Sequence, residues 1–198
     1  HMVDGIIYIA GHARKINWFP ENFGTPAVMA DAYDQNPMVS AVLPDDETSA
    51  YQMTRYLIRK GHKKIALLAG REDNLHTRRR LKGYQNALFD AQILYNPRLV
   101  RYVDYQETKR LLKEDITAIF CMADTIAGGV YQYLDEQGLR AGRDVSVVGF
   151  DNHVLSEYMI PGLTTMALPL KEIGTTSAKL LFDQIEKGEV EMNREILI

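Results

Sequence analysis

Apolar runs rich in β-branched residues alternate along this chain with segments whose apolar positions recur every three to four residues. Strand-like and helix-like periods in alternation predict a doubly wound α/β fold, with parallel sheets covered by helices. Gly5–Ala10, Ala27–Ala30 and Ala41–Leu43 read as short strands, and a helix is expected from Lys15 to Phe23, with Pro20 clouding its boundaries. From Asp46 to Lys60 the residues Ala50, Met53, Leu57 and Ile58 share one helical face, and Gly61 is placed to close that helix.

The same alternation then repeats. Lys64–Ala69 reads as a strand and Thr77–Ala91 as a helix with Leu81, Tyr84, Ala87 and Leu88 on its stripe. Strands are expected at Leu99–Val103, Ala118–Met122 and Val145–Val148, and helices at Glu107–Lys113 and Thr125–Gln137, the latter ended by Gly138. Val145-Ser146-Val147-Val148-Gly149-Phe150 is nearly continuous in apolar character, as in strands covered on both faces. The last third differs: Pro161-Gly162-Leu163-Thr164-Thr165 is a turn into an extended stretch. Leu170–Lys187 follows as a long helix expected to carry Ile173, Ala178, Leu181 and Ile185 inward. If the chain forms two lobes, its crossings fall near Leu43-Pro44 and Thr165–Leu168, and such crossings act as hinges.

With 198 residues, 46% hydrophobic and 25% charged, the chain can bury one large core or two modest ones. No run approaches the roughly 20 apolar residues that cross a bilayer, and no secretion-signal series is present, so a membrane partner is not expected. His1-Met2 reads as the scar of a cleaved tag. The one cysteine, Cys121, sits in the strand-like run Ile119–Met122 and is expected to be a buried, inert thiol. A net charge of −3, from 23 basic and 26 acidic residues, is unlike a chain built to grip nucleic acid.

Three polar clusters follow strands. Arg71 to Arg80 joins a strand end to a helix start, where backbone amides attract anions and hydroxyls and an arginine fork can clamp two hydroxyls or a carboxylate. Arg80 is the preferred ligand contact there, against a plain solvated face for Arg78 and Arg79. Gly149-Phe150-Asp151-Asn152 puts a carboxylate at a strand's carboxyl end, able to accept two hydroxyl hydrogen bonds. A helix cap is the plainer role for Asp151, and Asp31 after Val28-Met29-Ala30 follows the same logic as Asp151. Asp124, before an amphipathic run, reads as a helix cap, and Asp45-Asp46-Glu47 as an acidic helix start. His12, His62 and His153 lack zinc-ligand spacing, so no metal is expected. Trp18 is a candidate to stack on a sugar face, against a place in the core or at an interface. No Gly-x-Ser-x-Gly elbow and no Gly-x-Gly-x-x-Gly turn is present, so no catalytic residues, no cofactor and no enzyme are expected.

The motifs that carry a resemblance are Val3-Asp4-Gly5-Ile6-Ile7, Gly61-His62 with Ile65-Ala66, and Arg80-Leu81-Lys82-Gly83-Tyr84. To these add Asp144-Val145-Ser146-Val147-Val148-Gly149-Phe150-Asp151 and Pro161-Gly162-Leu163-Thr164-Thr165. In this order they resemble the effector-binding domain of the lactose-repressor/galactose-repressor (LacI/GalR) family of bacterial transcription regulators, along nearly the whole chain. The resemblance implies a two-lobed, periplasmic-binding-protein-like (type I) α/β fold with an incomplete amino-terminal lobe. That lobe would comprise 3–43 and 168–193, and the carboxyl-terminal lobe 44–167 and 194–198. It implies that Asp31, His76, Arg80 and Asp151 line an effector cleft whose closure alters DNA binding.

The resemblance also implies a cytoplasmic homodimer that senses a sugar and meets operator DNA only through a helix-turn-helix headpiece, which these residues do not include. Two departures bear on the effector. Ala123-Asp124 stands where the family often has Asn-Asp, and no aromatic stands near Leu170. With the arginines and histidine of the first cluster, these leave room for a phosphorylated or acidic sugar. Two rival readings are a sugar-binding protein of a transport system and a sugar-processing hydrolase of the same sheet class.

Overall fold

A computed structural model of the chain describes residues 3–10, 15–16, 19–20, 23–34, 36, 38–102, 105–188 and 194–198. They form two compact units, one from residues 1–45 with 169–198 and the other from 46–168. The chain leaves the first unit after Asp45 and returns to it after Leu168.

In the first unit, β1 (Ile6–Ile9), β3 (Ala27–Ala30), β5 (Ser40–Leu43) and β11 (Glu195–Leu197) form a parallel sheet in the order β1-β3-β5-β11. A separate parallel pair joins β2 (Lys15–Ile16) to β4 (Tyr33–Asp34). Two expectations are corrected here. Lys15 and Ile16 are extended rather than helical, because their backbone is held by pairing with β4. Residues 194–198 belong to the first unit rather than to the expected carboxyl-terminal lobe, because Glu195, Ile196 and Leu197 pair with Ala41, Val42 and Leu43. Both His12 and Trp18 lie outside the described residues.

The helix α6 (Leu170–Lys187) has its expected bounds, closed by Gly188 at φ 66°. Its buried stripe, however, is Ile173, Ser177, Leu180 and Gln184. Ala178 and Leu181 are half-buried and Ile185 is exposed, so the inward face is rotated by about one residue from the apolar pattern. Two of the four inward positions are polar, which hid the true phase; Ser177 satisfies its hydroxyl by donating to the Ile173 carbonyl.

In the second unit, five parallel strands take the order β10-β9-β8-β6-β7: β6 (Ile65–Ala69), β7 (Val100–Tyr102), β8 (Ala118–Cys121), β9 (Ser146–Asp151) and β10 (Thr164–Ala167). Strands β6 and β8 are buried at every position, as continuous apolar runs covered on both faces should be. One face packs against α1 (Asp46–Arg59) and α2 (Leu75–Asp90) through Met53, Leu57, Tyr84 and Leu88; the other packs against α3 (Tyr105–Leu111) and α4 (Asp124–Glu136) through Leu111, Val130 and Leu134. The short helix α5 (Leu155–Tyr158) follows β9. Because all five strands run the same way, their carboxyl ends, with the turns that follow β6, β8 and β9, lie along one edge. No helix among the described residues is long and apolar enough to cross a membrane.

Candidate functional site

Three of the four expected ligand residues come together at that edge. Arg80, one turn into α2, is 6% exposed, so its charge must be met inside the protein. Its Nε donates to Asp46 Oδ1 at 2.7 Å, its Nη1 to the Met122 carbonyl, and Nη1 also lies 3.5 Å from Asp151 Oδ1. The guanidinium carbon stands 3.6 Å from the centre of the Phe150 ring, a cation–π stack in a dry setting. These contacts engage Nε and Nη1; Nη2 takes part in none of them. Arg80 is therefore less a free clamp than a pinned group.

His76 is placed by the cap of the same helix. Asn74 has extended backbone, and its side chain accepts from the His76 backbone N–H at 2.8 Å, which starts α2 at a defined residue. The imidazole Nδ1 then hydrogen-bonds Asp46 Oδ2, so one carboxylate holds both His76 and Arg80. Asp46 is fully buried, and the side chains around it open progressively toward solvent: Arg80 7%, His76 13%, Asp151 32% exposed. The groups that an incoming molecule can reach are thus the Asp151 carboxylate and the rims of His76 and Arg80.

Asp151 ends β9 with φ 106°, and Asn152 follows at φ 53°. Two consecutive non-glycine residues with positive φ are costly, on the order of 1–3 kcal/mol each, and persist only where the surroundings hold them. Asp124 does the holding. Its Oδ2 accepts from the His153 backbone N–H at 2.7 Å and its Oδ1 from the Thr165 hydroxyl at 2.6 Å, while Thr165 Oγ1 accepts from the Asn152 N–H at 3.3 Å. The expectation that Asp124 caps α4 is corrected: the cap position is Ala123, with no side-chain cap bond, and the fully buried Asp124 carboxylate turns to the loop after β9. Gly149 makes room for it, since a Cβ there would stand 2.1 Å from Asp124 Oδ1.

Asp31 lies in the other unit. It follows β3 with φ 54°, its backbone N–H donates to the Val42 carbonyl at 2.9 Å, and its side chain is half-buried. Two residues central to the cluster escaped sequence reasoning, Asp46 and Asp124, because acidic residues at helix starts have an ordinary explanation. A usable signal existed. Asp46 is in phase with Ala50, Met53 and Leu57 on the buried stripe of α1, and Asp124 with Ala127, Val130 and Leu134 on that of α4. A carboxylate on a buried stripe needs partners, and that need marks a built polar site.

Cys121 is fully buried, and burial, with a smaller contribution from Asp124, pushes its thiol well above the usual range. His62 Nδ1 pairs with Thr117 Oγ1 at 2.9 Å, and His153 Nδ1 accepts from the Leu155 N–H at 3.2 Å. Each has a local structural role.

A charged cluster at the carboxyl ends of parallel strands, with helices on both faces of the sheet, defines a ligand-binding α/β domain. Residues 54–198 match the family described as periplasmic binding protein-like domain. The chain belongs to that family, and within it to the LacI family of transcriptional regulators. It is 33% identical to the HTH-type transcriptional repressor PurR of Vibrio atlanticus (strain LGP32), over 98% of this chain and 63% of that protein. It is 32% identical to the ribose operon repressor of Haemophilus influenzae, over 93% of this chain and 58% of that protein.

Among solved structures, a LacI family transcriptional regulator from Enterococcus faecium with bound ribose superposes with a TM-score of 0.77 at 32% identity, covering 90% of this chain and 68% of that one. The transcriptional regulator CelR in complex with cellobiose gives a TM-score of 0.82 at 28% identity, covering 99% and 63%. The chain therefore spans about three-fifths of the length of the curated relatives quoted. Those relatives are named as transcriptional repressors, not enzymes.

Proposed function

We propose that this chain is the effector-sensing part of a bacterial transcription regulator, and that its effector is a sugar or sugar derivative. The observation that carries the reading is the Asp46–Arg80–Asp151 chain of charge at the tips of β8 and β9. A buried carboxylate fixes a guanidinium, and the guanidinium lies beside a half-exposed carboxylate. Such a pair presents donors and acceptors side by side, which complements vicinal hydroxyls, and loss of either leaves a polar group unpaired. Asp151 accepts effector hydroxyls, with the rims of Arg80 and His76 as donors. Asp31 is assigned the same acceptor role in its own unit.

In this reading the effector shifts the protein between two arrangements only as far as it binds one better than the other. The change is passed to operator DNA through a separate DNA-binding part, and the whole acts as a cytoplasmic homodimer without catalytic activity. The net charge of −3 agrees with a DNA contact made elsewhere than on these residues. A phosphorylated or acidic sugar fits the basic rim of Arg80 and His76 as well as a neutral one.

The test is a thermal-shift screen of sugars and sugar phosphates, followed by calorimetry on each hit with the Asp151→Ala variant. Asp151 is partly exposed, so the variant should fold; the expected result is a loss of at least about tenfold in affinity. Unchanged affinity would remove Asp151 from the site.

A further inference from the structure

Strand β10 lies at the edge of the five-stranded sheet and pairs only with β9, with Thr165 opposite Gly149 and Ala167 opposite Asp151. None of its four residues is buried, although Met166 packs half-buried against the core. A strand with so few buried contacts opens easily unless something besides its ladder holds it. After Leu168 the chain returns to the first unit, so β10 is the last element of the second. Thr165 supplies the further hold. Its hydroxyl donates to Asp124 Oδ1 at 2.6 Å and accepts from the Asn152 N–H at 3.3 Å, while Asp124 Oδ2 accepts from the His153 N–H at 2.7 Å. Asp124 is fully buried, so removing that hydroxyl leaves a buried carboxylate oxygen short of a donor. The turn itself, with φ 106° at Asp151 and 53° at Asn152, keeps its shape only while it is held from outside. One hydroxyl on β10 therefore meets both the turn and the carboxylate that supports it.

We propose that Thr165 is a positioning residue that makes the Asp151-Asn152 turn and β10 open and close as one unit. The coupling serves the effector only if Asp151 is an effector contact, and in that respect it rests on the function proposed above. Opening of β10 breaks both Thr165 bonds and releases the turn. An effector that binds only the closed turn then suppresses the opening of β10 by the same factor by which it stabilises the turn. Occupancy at Asp151 is passed in this way to the segment that leads out of the second unit, and no contact between effector and β10 is required.

Native-state hydrogen exchange tests the coupling with no effector present. In the parent chain the amides of Asn152, His153 and the β10 residues bonded to β9 are expected to exchange through a common opening, with one dependence on denaturant. Separate openings overturn the proposal. Thr165→Val keeps the shape of the side chain and removes the hydroxyl. Exchange at Asn152, His153 and β10 should then quicken by at least about tenfold, as for loss of a buried group's partner, while the amides of β6 and β8 stay as slow as before. Thr165→Ser retains the hydroxyl and should keep the common, slow opening. Unchanged exchange in Thr165→Val, or an equal loss in Thr165→Ser, overturns the proposal. Should Thr165→Val fail to fold, the common or separate opening in the parent chain decides. A sugar screen without a hit is a failure of the effector reading alone, since none of these measurements uses a sugar.

Discussion

Asp46 and Arg80 are 34 residues apart in the chain and 2.7 Å apart in the fold, one fully buried and the other nearly so. The pair ties the first turn of α1 to the first turns of α2, and through the Met122 carbonyl it ties both to the end of β8. Burying two charges is unfavourable unless each is matched. Here Asp46 is matched twice, by Arg80 and by His76, and Arg80 by two oxygens and an aromatic face. Asp151 is the member left partly open to solvent.

Removing the buried partner should therefore cost more than removing the open one. Asp46→Ala leaves the Arg80 guanidinium buried without its carboxylate, and breaking a buried pair this way costs about 3–5 kcal/mol. Urea denaturation should show a loss of that size, with Asp151→Ala losing about 1 kcal/mol or less, as for a pair with one exposed partner. Equal losses would mean that Asp46 does not carry the cluster.

The close approach of α1 and α2 depends on Gly83. A Cβ at that position would stand 2.1 Å from the Glu47 carbonyl oxygen and 2.9 Å from the Tyr51 nitrogen, both backbone atoms that cannot rotate aside. Gly83→Ala must push the helices apart, next to Asp46, at a cost of about 1–3 kcal/mol. Gly174, in α6, has nothing within 4 Å of its Cβ direction and is exposed. There the same substitution should stabilise by about 0.5–1 kcal/mol through helix propensity. Thermal melting of the two variants should move in opposite directions from the parent; movement in the same direction would contradict the packing described.

Asp124 is expected to act on the effector without touching it. Asp124→Ala strands the His153 N–H and frees Thr165, so the positive-φ pair Asp151-Asn152 loses its restraint. The stability loss should be about 1–3 kcal/mol, the cost of unpaired polar groups. Effector affinity should fall together with it, while variants of the His62–Thr117 pair leave affinity unchanged. Calorimetry on Asp124→Ala with any effector found in the screen checks this; full affinity would show that the loop after β9 holds its shape unaided.

Cys121 should be silent in the folded protein. Its thiol is fully buried and held protonated by that burial, and only the thiolate reacts. A disulfide reagent at mildly alkaline pH should label it only on unfolding, with the labelling rate following the denaturant curve. Rapid labelling of the native chain would contradict its position on β8.

The alternation of strand and helix was legible because the central strands and the long helices of the second unit each bury one continuous run or stripe. Leu57, Tyr84, Phe120 and Val148 had no other place to go, and local spacing alone reveals such residues. Local spacing misled where the inward face is polar. In α6 the buried Ser177 and Gln184 hid the phase that Ile173 and Leu180 share, and Ile185, apolar but exposed, pointed to a neighbouring one. Lys15-Ile16 was misread for a related reason, since its extended form comes from pairing with a strand 18 residues further on.

By itself, then, the sequence determined the class of fold and that polar groups stand at strand ends, because hydrophobic periodicity and turn residues act over a few positions. Tertiary structure alone decided which of those groups meet. It drew Asp46 from a run of acids into a buried partnership with His76 and Arg80, and turned Asp124 from a cap into the support of Asp151. A carboxylate's role is set by the charge and hydrogen bonds that reach it through space, and those come from residues 29 to 41 positions away.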